Sequence, residues 1–211
     1  MGVAEYRFTP PQLTLGALPR EVGVGTRVAV YADYLDVDLG DPLQLTGELD
    51  GKPVDLREQS DVTPRPPTLE RRFRSPGRHR VTAMVVDPIG LLATGAVEIV
   101  VKQPAIRKLA LDRTRMRARR GGRGFAASCL SGATLTYDLL GRVPVRFTVL
   151  RRRAKHWRKL SGGFTQRANE GGNELCFRGR LKGRRLKPGL YRIAAKPRGG
   201  RAVARRLRIV R

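Results

Sequence analysis

Apolar and polar residues alternate along most of the chain, in short runs interrupted by glycine, proline and aspartate. In residues 24–31 (VGTRVAVY), Val24, Val28 and Val30 share one parity, as in a strand with one buried face. A second strand is predicted from Leu43 to Leu49. It ends at Asp50-Gly51, a hairpin signal because glycine reaches positive φ without strain. Residues 59–68 contain three prolines and are read as a loop or edge segment. Further strands are predicted over Leu69–Phe73, Arg78–Val86 and Ala96–Val101, with turns at Ser75-Pro76-Gly77 and Asp87–Gly90.

The second half repeats the pattern. Ile106, Leu109 and Leu111 open a strand, followed by a basic stretch ending in Gly121-Gly122; for residues 106–123 a helix is the alternative, stopped by that glycine pair. Phe125, Ala127 and Cys129 alternate, and Ala133, Leu135, Tyr137 and Leu139 share a face. Val143, Val145, Phe147 and Val149 form one of the clearest strands. Ser161–Asn173 is read as turn-rich, and the glycine pairs at Gly121, Gly162, Gly171 and Gly199 as turns. Leu175 and Phe177, Tyr191 and Ile193, then Leu207 and Ile209 complete roughly seven strands. Short strands with a turn signal about every ten residues predict β-sandwiches.

Charge divides the chain in two. Residues 1–105 hold 12 Lys and Arg against 14 Asp and Glu, whereas residues 106–211 hold 31 against 4. With 211 residues available, the expected organisation is two domains, 1–103 and 104–211, each of a common domain size. No apolar run approaches the roughly 18–20 residues of a spanning helix, so membrane insertion is not expected. Residues 1–11 lack the basic and then apolar regions of a signal peptide. The reading is therefore of a fragment whose export signal lies upstream. Arginine outnumbers lysine 35 to 8, and two explanations stay open: a high-GC coding bias, or selection for a polyanionic partner.

Two stretches carry a family resemblance. Asp36–Gly51 (DVDLGDPLQLTGELDG) and Phe73–Thr94 (FRSPGRHRVTAMVVDPIGLLAT) resemble a PKD domain, a bacterial extracellular immunoglobulin-like module. Pro76, Gly77, Val81, Val85, Asp87 and Gly90 match its second hairpin. Gly47 stands where the family usually has tryptophan, and the family's Gly-Asp-Gly is shortened to Asp50-Gly51. Asn173–Pro197 (NELCFRGRLKGRRLKPGLYRIAAKP) and Arg205–Arg211 (RRLRIVR) resemble the Arg-rich C-terminal module of secreted multidomain proteins from high-GC bacteria. Together the resemblances imply an all-β fold of two consecutive Ig-like β-sandwich domains, PKD-like over 1–103 and basic over 104–211. They imply placement outside the cell or at its surface, and no particular ligand.

Candidate chemistry is sparse, and no cofactor is expected. Asp33, Asp36, Asp38 and Asp41 offer carboxylates for a calcium loop, but their spacing is not that of an EF-hand, so a solvated acidic loop is the preferred reading. His79 and His156 are the two histidines, with no zinc-ligand spacing; His79 is read as packing in a strand and His156 as lying in a basic loop. No nucleophile elbow, phosphate loop or paired-acid arrangement is present in the sequence, so no enzymatic activity is expected. Cys129 and Cys176 are either bonded or free. Alternation sets Cys129 in phase with Phe125, and Cys176 on the face opposite Leu175 and Phe177.

The basic clusters carry the functional potential. Arg151, Arg152, Arg153, Lys155, Trp157, Arg158 and Lys159 form one, and Arg184 and Arg185 belong to another. Clustered arginines bind phosphate or carboxylate bidentately, and an exposed tryptophan stacks on a base or sugar. The expected role is a non-catalytic structural or adhesion pair, with other domains of the parent protein and anionic cell-envelope polymers as partners. A nucleic-acid-binding protein using the basic domain is one alternative, and accessory modules of a secreted hydrolase another.

Overall fold

A computed structural model describes residues 8–37, 43–57, 67–126, 129 and 132–211. Every regular element among them is a β-strand. The chain divides into two compact units: residues 1–22 with 27–101, and residues 23–26 with 102–211. Each is a β-sandwich built from two main sheets.

In the first unit the strands are β1 (Gln12–Leu18), β2 (Glu21–Gly23), β3 (Arg27–Leu35), β4 (Gln44–Leu49), β5 (Lys52–Val54), β6 (Leu69–Arg72), β7 (Gly77–Val86) and β8 (Leu92–Lys102). They form a three-stranded sheet, β1-β3-β6, and a five-stranded sheet, β2-β8-β7-β4-β5. Alternation puts Val28, Val30, Ala32 and Leu69 of one sheet, and Val81, Ala83, Val85, Val97 and Ile99 of the other, into a common core. Val24 does not belong to the strand expected over 24–31: Gly25 takes φ +85° and β3 begins only at Arg27. Residues 23–26 instead group with the second unit, where the Arg142 amide donates to the Val24 carbonyl at 2.8 Å.

Two turns show why their residues are there. Asp50 and Gly51 have φ of +52° and +74° and join β4 to β5 with Leu49 opposite Lys52; this is the primed turn whose twist suits a two-residue hairpin. Between β7 and β8, the buried Asp87 accepts the Ile89 and Leu91 amides at 3.0 and 2.8 Å, so its carboxylate organises the turn that Gly90 closes at φ +91°. Gly47 has a local explanation too. A Cβ there would collide with the side chain of Leu56.

Asp50 also accepts from the Arg80 amide at 2.9 Å and sits 2.7 Å from His79 Nδ1. His79 is largely buried and stacks on Phe73, with centroids 4.4 Å apart. The hydrogen bond with His79 is the largest cause holding the Asp50 carboxyl below its ordinary value of 3.8, with the Arg80 amide and the charges of His79 and Lys52 adding to it. A carboxyl depressed on folding stabilises the protein above its unfolded value, and that gain disappears as pH falls through the folded one. Asp50→Asn keeps a residue that tolerates positive φ. The variant is therefore expected to be less stable than wild type at pH 6, with the gap narrowing below about pH 4, the ordinary carboxylate range. Urea unfolding at a series of pH values checks this; a gap that stays constant down to pH 3 rules it out.

The second unit contains β9 (Ala105–Leu111), β10 (Arg115–Arg117), β11 (Phe125–Ala126), β12 (Ala133–Leu140), β13 (Pro144–Arg153), β14 (His156–Arg167), β15 (Gly171–Phe177), β16 (Arg180–Leu181), β17 (Arg184–Arg185), β18 (Gly189–Pro197) and β19 (Val203–Val210). One sheet runs β11-β15-β12-β9, the other β10-β19-β18-β13-β14, and β16-β17 is a separate ribbon. Residues 105–111 and 115–117 are strand, not helix, and the chain switches sheets between them: β9 pairs antiparallel with β12, β10 parallel with β19. The sheets meet through aromatic rings. Tyr137 meets Phe147 edge-on at 5.6 Å, and Phe125 packs against Phe147, Phe164 and Phe177.

Two expectations are corrected here. Ser161–Asn173 is mostly strand, since β14 runs to Arg167 and β15 begins at Gly171. Gly162-Gly163 is no turn: it sits where the register of β13 and β14 shifts, Gly162 at φ +98° and Gly163 with no room for a Cβ against the Phe147 carbonyl. Cys129 and Cys176 are joined in a disulfide, with Cα atoms 5.0 Å apart. Cys176 pairs across the ladder with Ala126 and Thr134, on the face away from the Leu175 and Phe177 side chains, and the bond with Cys129 forms on that face. Cys176 is completely buried, so the free, exposed alternative does not hold.

Candidate polyanion-binding face

Arg151–Lys159 is a hairpin and not a loop. β13 ends at Arg153 and β14 starts at His156, so His156 lies in a strand; Ala154, at φ +51°, and Lys155 make the turn. Pairing sets Arg151 opposite Arg158, Arg152 opposite Trp157 and Leu150 opposite Lys159. Because neighbours along a strand face opposite ways, this cluster divides between two faces. Val145, Phe147 and Val149 are fully buried, so Arg151 and Arg153 follow the inward parity and Arg152 the outward one.

The inward members close one end of the core. The Arg151 guanidinium lies 5.8 Å from the Tyr191 ring centroid and donates to the Pro188 carbonyl at 3.2 Å. Burial raises the Tyr191 phenol above its ordinary value, opposed by the charges of Arg151 and Arg153. The phenol stays neutral and donates to the Lys187 carbonyl at 2.6 Å. Arg158 pairs with Arg151 on this side. Arg184 and Arg185 lie elsewhere, in the β16-β17 ribbon.

The outward members join a larger set that sequence clustering did not bring together. Leu207 and Ile209 are buried, so Arg206 and Arg208 face out from β19; Arg206 pairs with Arg192, Arg208 with Arg115, and Arg192 with Leu150. Arg146 pairs with Lys196 on the same face. Arg115, Arg146, Arg152, Lys159, Arg192, Lys196, Arg206 and Arg208 thus share one side of a five-stranded sheet. None of its strands contains an aspartate or glutamate. The acids of this half are elsewhere: Asp138 and Glu174 in the opposite sheet, Asp112 paired with Arg113 at 3.2 Å, and Glu170 accepting from Thr26 at 2.5 Å. The signal for Arg206 and Arg208 was the alternation in VARRLRIV; their adjacency to Arg115 and Arg192 comes only from strand pairing.

Trp157 is half-buried, and the Arg192 guanidinium lies 4.1 Å from its ring centroid. This contact orders Arg192 and occupies one face of the indole. A nucleobase stacking on that face has to displace it.

Among the described residues no group of three or more His, Cys, Asp or Glu is arranged to hold a metal ion. Of the calcium-loop candidates, Asp33 lies in β3 and Asp36 just beyond it, while Asp38 and Asp41 fall outside the described residues. No helix among the described residues is long and apolar enough to cross a membrane.

No protein-family model matches the chain, and no curated sequence matches it significantly. Solved structures similar to it include three N-terminal domains of the outer capsid protein Hoc of bacteriophage RB49, at 10% identity and a TM-score of 0.38. That match covers 95% of this chain and 59% of the Hoc chain, so this chain spans well under two thirds of it. The titin domains Z1Z2 match at 12% identity and 0.39, covering 97% of this chain and 98% of theirs. The fibronectin(III)-like modules of Clostridium thermocellum CbhA match at 13% and 0.30, covering 92% of each. Likeness at this level assigns no ligand or activity to the chain.

Proposed function

We propose that the chain is a non-catalytic pair of extracellular modules, PKD-like then Arg-rich, that spaces or displays other domains of its parent protein at a bacterial surface. Its second module contacts anionic envelope polymers. The observation that carries the reading is the outward face of the β10-β19-β18-β13-β14 sheet, a two-dimensional array of cations on five strands that contain no carboxylate. Neighbouring strands lie about 4.8 Å apart, and alternate residues along a strand about 6.7 Å. Cations so spaced present many weak contacts to a flexible polyanion and no pocket for one particular base. The prior engagement of Trp157 by Arg192 supports the same reading over nucleic-acid recognition.

The test is binding of the whole chain to a poly(glycerol phosphate), duplex DNA and single-stranded RNA across a salt series. Binding to all three is expected to weaken steeply and in parallel as salt rises. Arg206→Gln with Arg208→Gln is expected to lower the slope of log K against log salt by about 2, to a similar extent for each polymer. Retention of one nucleic acid alone at about 150 mM salt, where screening is strong, replaces this reading with nucleic-acid recognition.

A further inference from the structure

A second cationic feature differs in kind from the flat face. At the edge of the second unit, a cleft of about 640 Å³ is lined by Arg117, Arg120, Arg185, Lys187 and Arg211 around the apolar Leu186 and Val210. No aspartate or glutamate lines it. The five cationic side chains are exposed. They come from four separate parts of the chain: the β10 end and the segment after it, the ribbon strand β17, the approach to β18, and the residue after β19.

The walls are held by hydrogen bonds behind them. The Arg180 guanidinium donates to the carbonyls of Arg119 (3.3 Å), Arg120 (2.5 Å) and Gly183, tying the segment after β10 to the ribbon. The Arg119 amide donates to the Arg178 carbonyl at 3.0 Å, and the Leu186 amide to the Gly179 carbonyl at 2.9 Å. On the other wall, the buried Tyr191 hydroxyl fixes the Lys187 carbonyl at 2.6 Å. Gly179, at φ +71°, has no room for a Cβ because Ala118 lies against it, which keeps the two segments close. Like charges are thus converged by a frame that holds their backbones, while their own side chains stay available to a ligand.

We infer that this cleft is a binding site for a small organic phosphate, a compact body carrying two phosphate groups. A phosphate monoester carries about −1.5 to −2 charge at pH 7, so two of them come closer to balancing five cations than two carboxylates do. The guanidinium fork matches phosphate oxygens bidentately, and Leu186 and Val210 suit the organic body. The volume lies within the range of small-molecule sites, about 300–1,000 Å³. This site does not depend on polymer binding by the flat face, since it shares none of the residues substituted there.

The test is calorimetric titration of the whole chain with fructose 1,6-bisphosphate, and separately with citrate, at about 150 mM salt. Saturable binding of one bisphosphate per chain is expected, with citrate weaker. Arg120→Gln with Arg185→Gln, both exposed and outside the supporting hydrogen bonds of their own side chains, is expected to weaken it about tenfold or more. Arg146→Gln with Lys196→Gln, on β13 and β18 rather than on the β10 and β19 strands that reach the cleft, is expected to leave it within about twofold, since those charges act only through screened solvent. The inference is overturned by the absence of saturable heat, by equal weakening in both double variants, or by citrate binding as tightly as the bisphosphate.

Discussion

Removing the Cys129–Cys176 bond is expected to destabilise the second unit by about 4 kcal/mol. The bond spans 47 residues, and releasing a loop of that size restores about that much chain entropy to the unfolded state. The loop includes β12, β13 and β14 in full, so it ties together strands of both sheets. The effect is expected to appear as a fall of roughly 15–30 °C in the thermal midpoint of a unit of about 100 residues. Trp157, the one tryptophan of the chain, lies in that unit, so its fluorescence follows the transition. Comparison of wild type with Cys129→Ala/Cys176→Ala under oxidising conditions makes the measurement, and a reductant should move wild type towards the variant. A shift of less than about 1 kcal/mol would falsify the entropic account and imply that the unfolded chain keeps those segments together.

Phe147→Ala is the next largest expected loss, about 3–5 kcal/mol, as for other large aromatic truncations in a packed core. Phe147 is fully buried at the centre of β13, with Tyr137 edge-on from the opposing sheet and Phe125 at 6.2 Å. These contacts join the two sheets, so the cavity left cannot close by movement of one strand alone. Phe164, its ladder partner, is 36% exposed and, among the described residues, stacks on Phe125 alone. Phe164→Ala should therefore cost less than half as much. Urea midpoints at constant m-value measure both. Equal losses would show that the ring cluster is not centred on Phe147.

Much of the architecture is legible in the residues. The alternation over Val143–Val149 places Val145, Phe147 and Val149 on the buried face of β13, because a period of two is a direct consequence of strand geometry. Asp50-Gly51 makes its tight turn because few other pairs accept two successive positive φ values. Where the pattern misleads, the cause is a local irregularity. Gly162-Gly163 looks like a turn, yet forms a bulge that lets β14 continue beside β13. Val24 shares the parity of Val28 and Val30, but Gly25 interrupts the strand between them. The opposition of Cys176 to Leu175 and Phe177 is correct as parity, yet it does not expose Cys176. The disulfide forms on that outward side, and the residue is completely buried there.

The functional surface shows the same division more sharply. By itself the sequence determined that this is an all-β chain whose second half carries a large excess of arginine and almost no acid, since both follow from composition and a local period. It could not determine which cations act together. Arg152 and Trp157 are separated in space from Arg151 and Arg158, their neighbours in the chain, because adjacent strand residues face opposite ways. Arg115, Arg192 and Arg208 come onto one face because β10, β18 and β19 are neighbours in one sheet. That neighbourhood is set by long-range hydrogen bonding and by burial of Met116, Ile193, Leu207 and Ile209 beneath it. No local pattern encodes such pairing, so the tertiary structure alone decided which cations share a face.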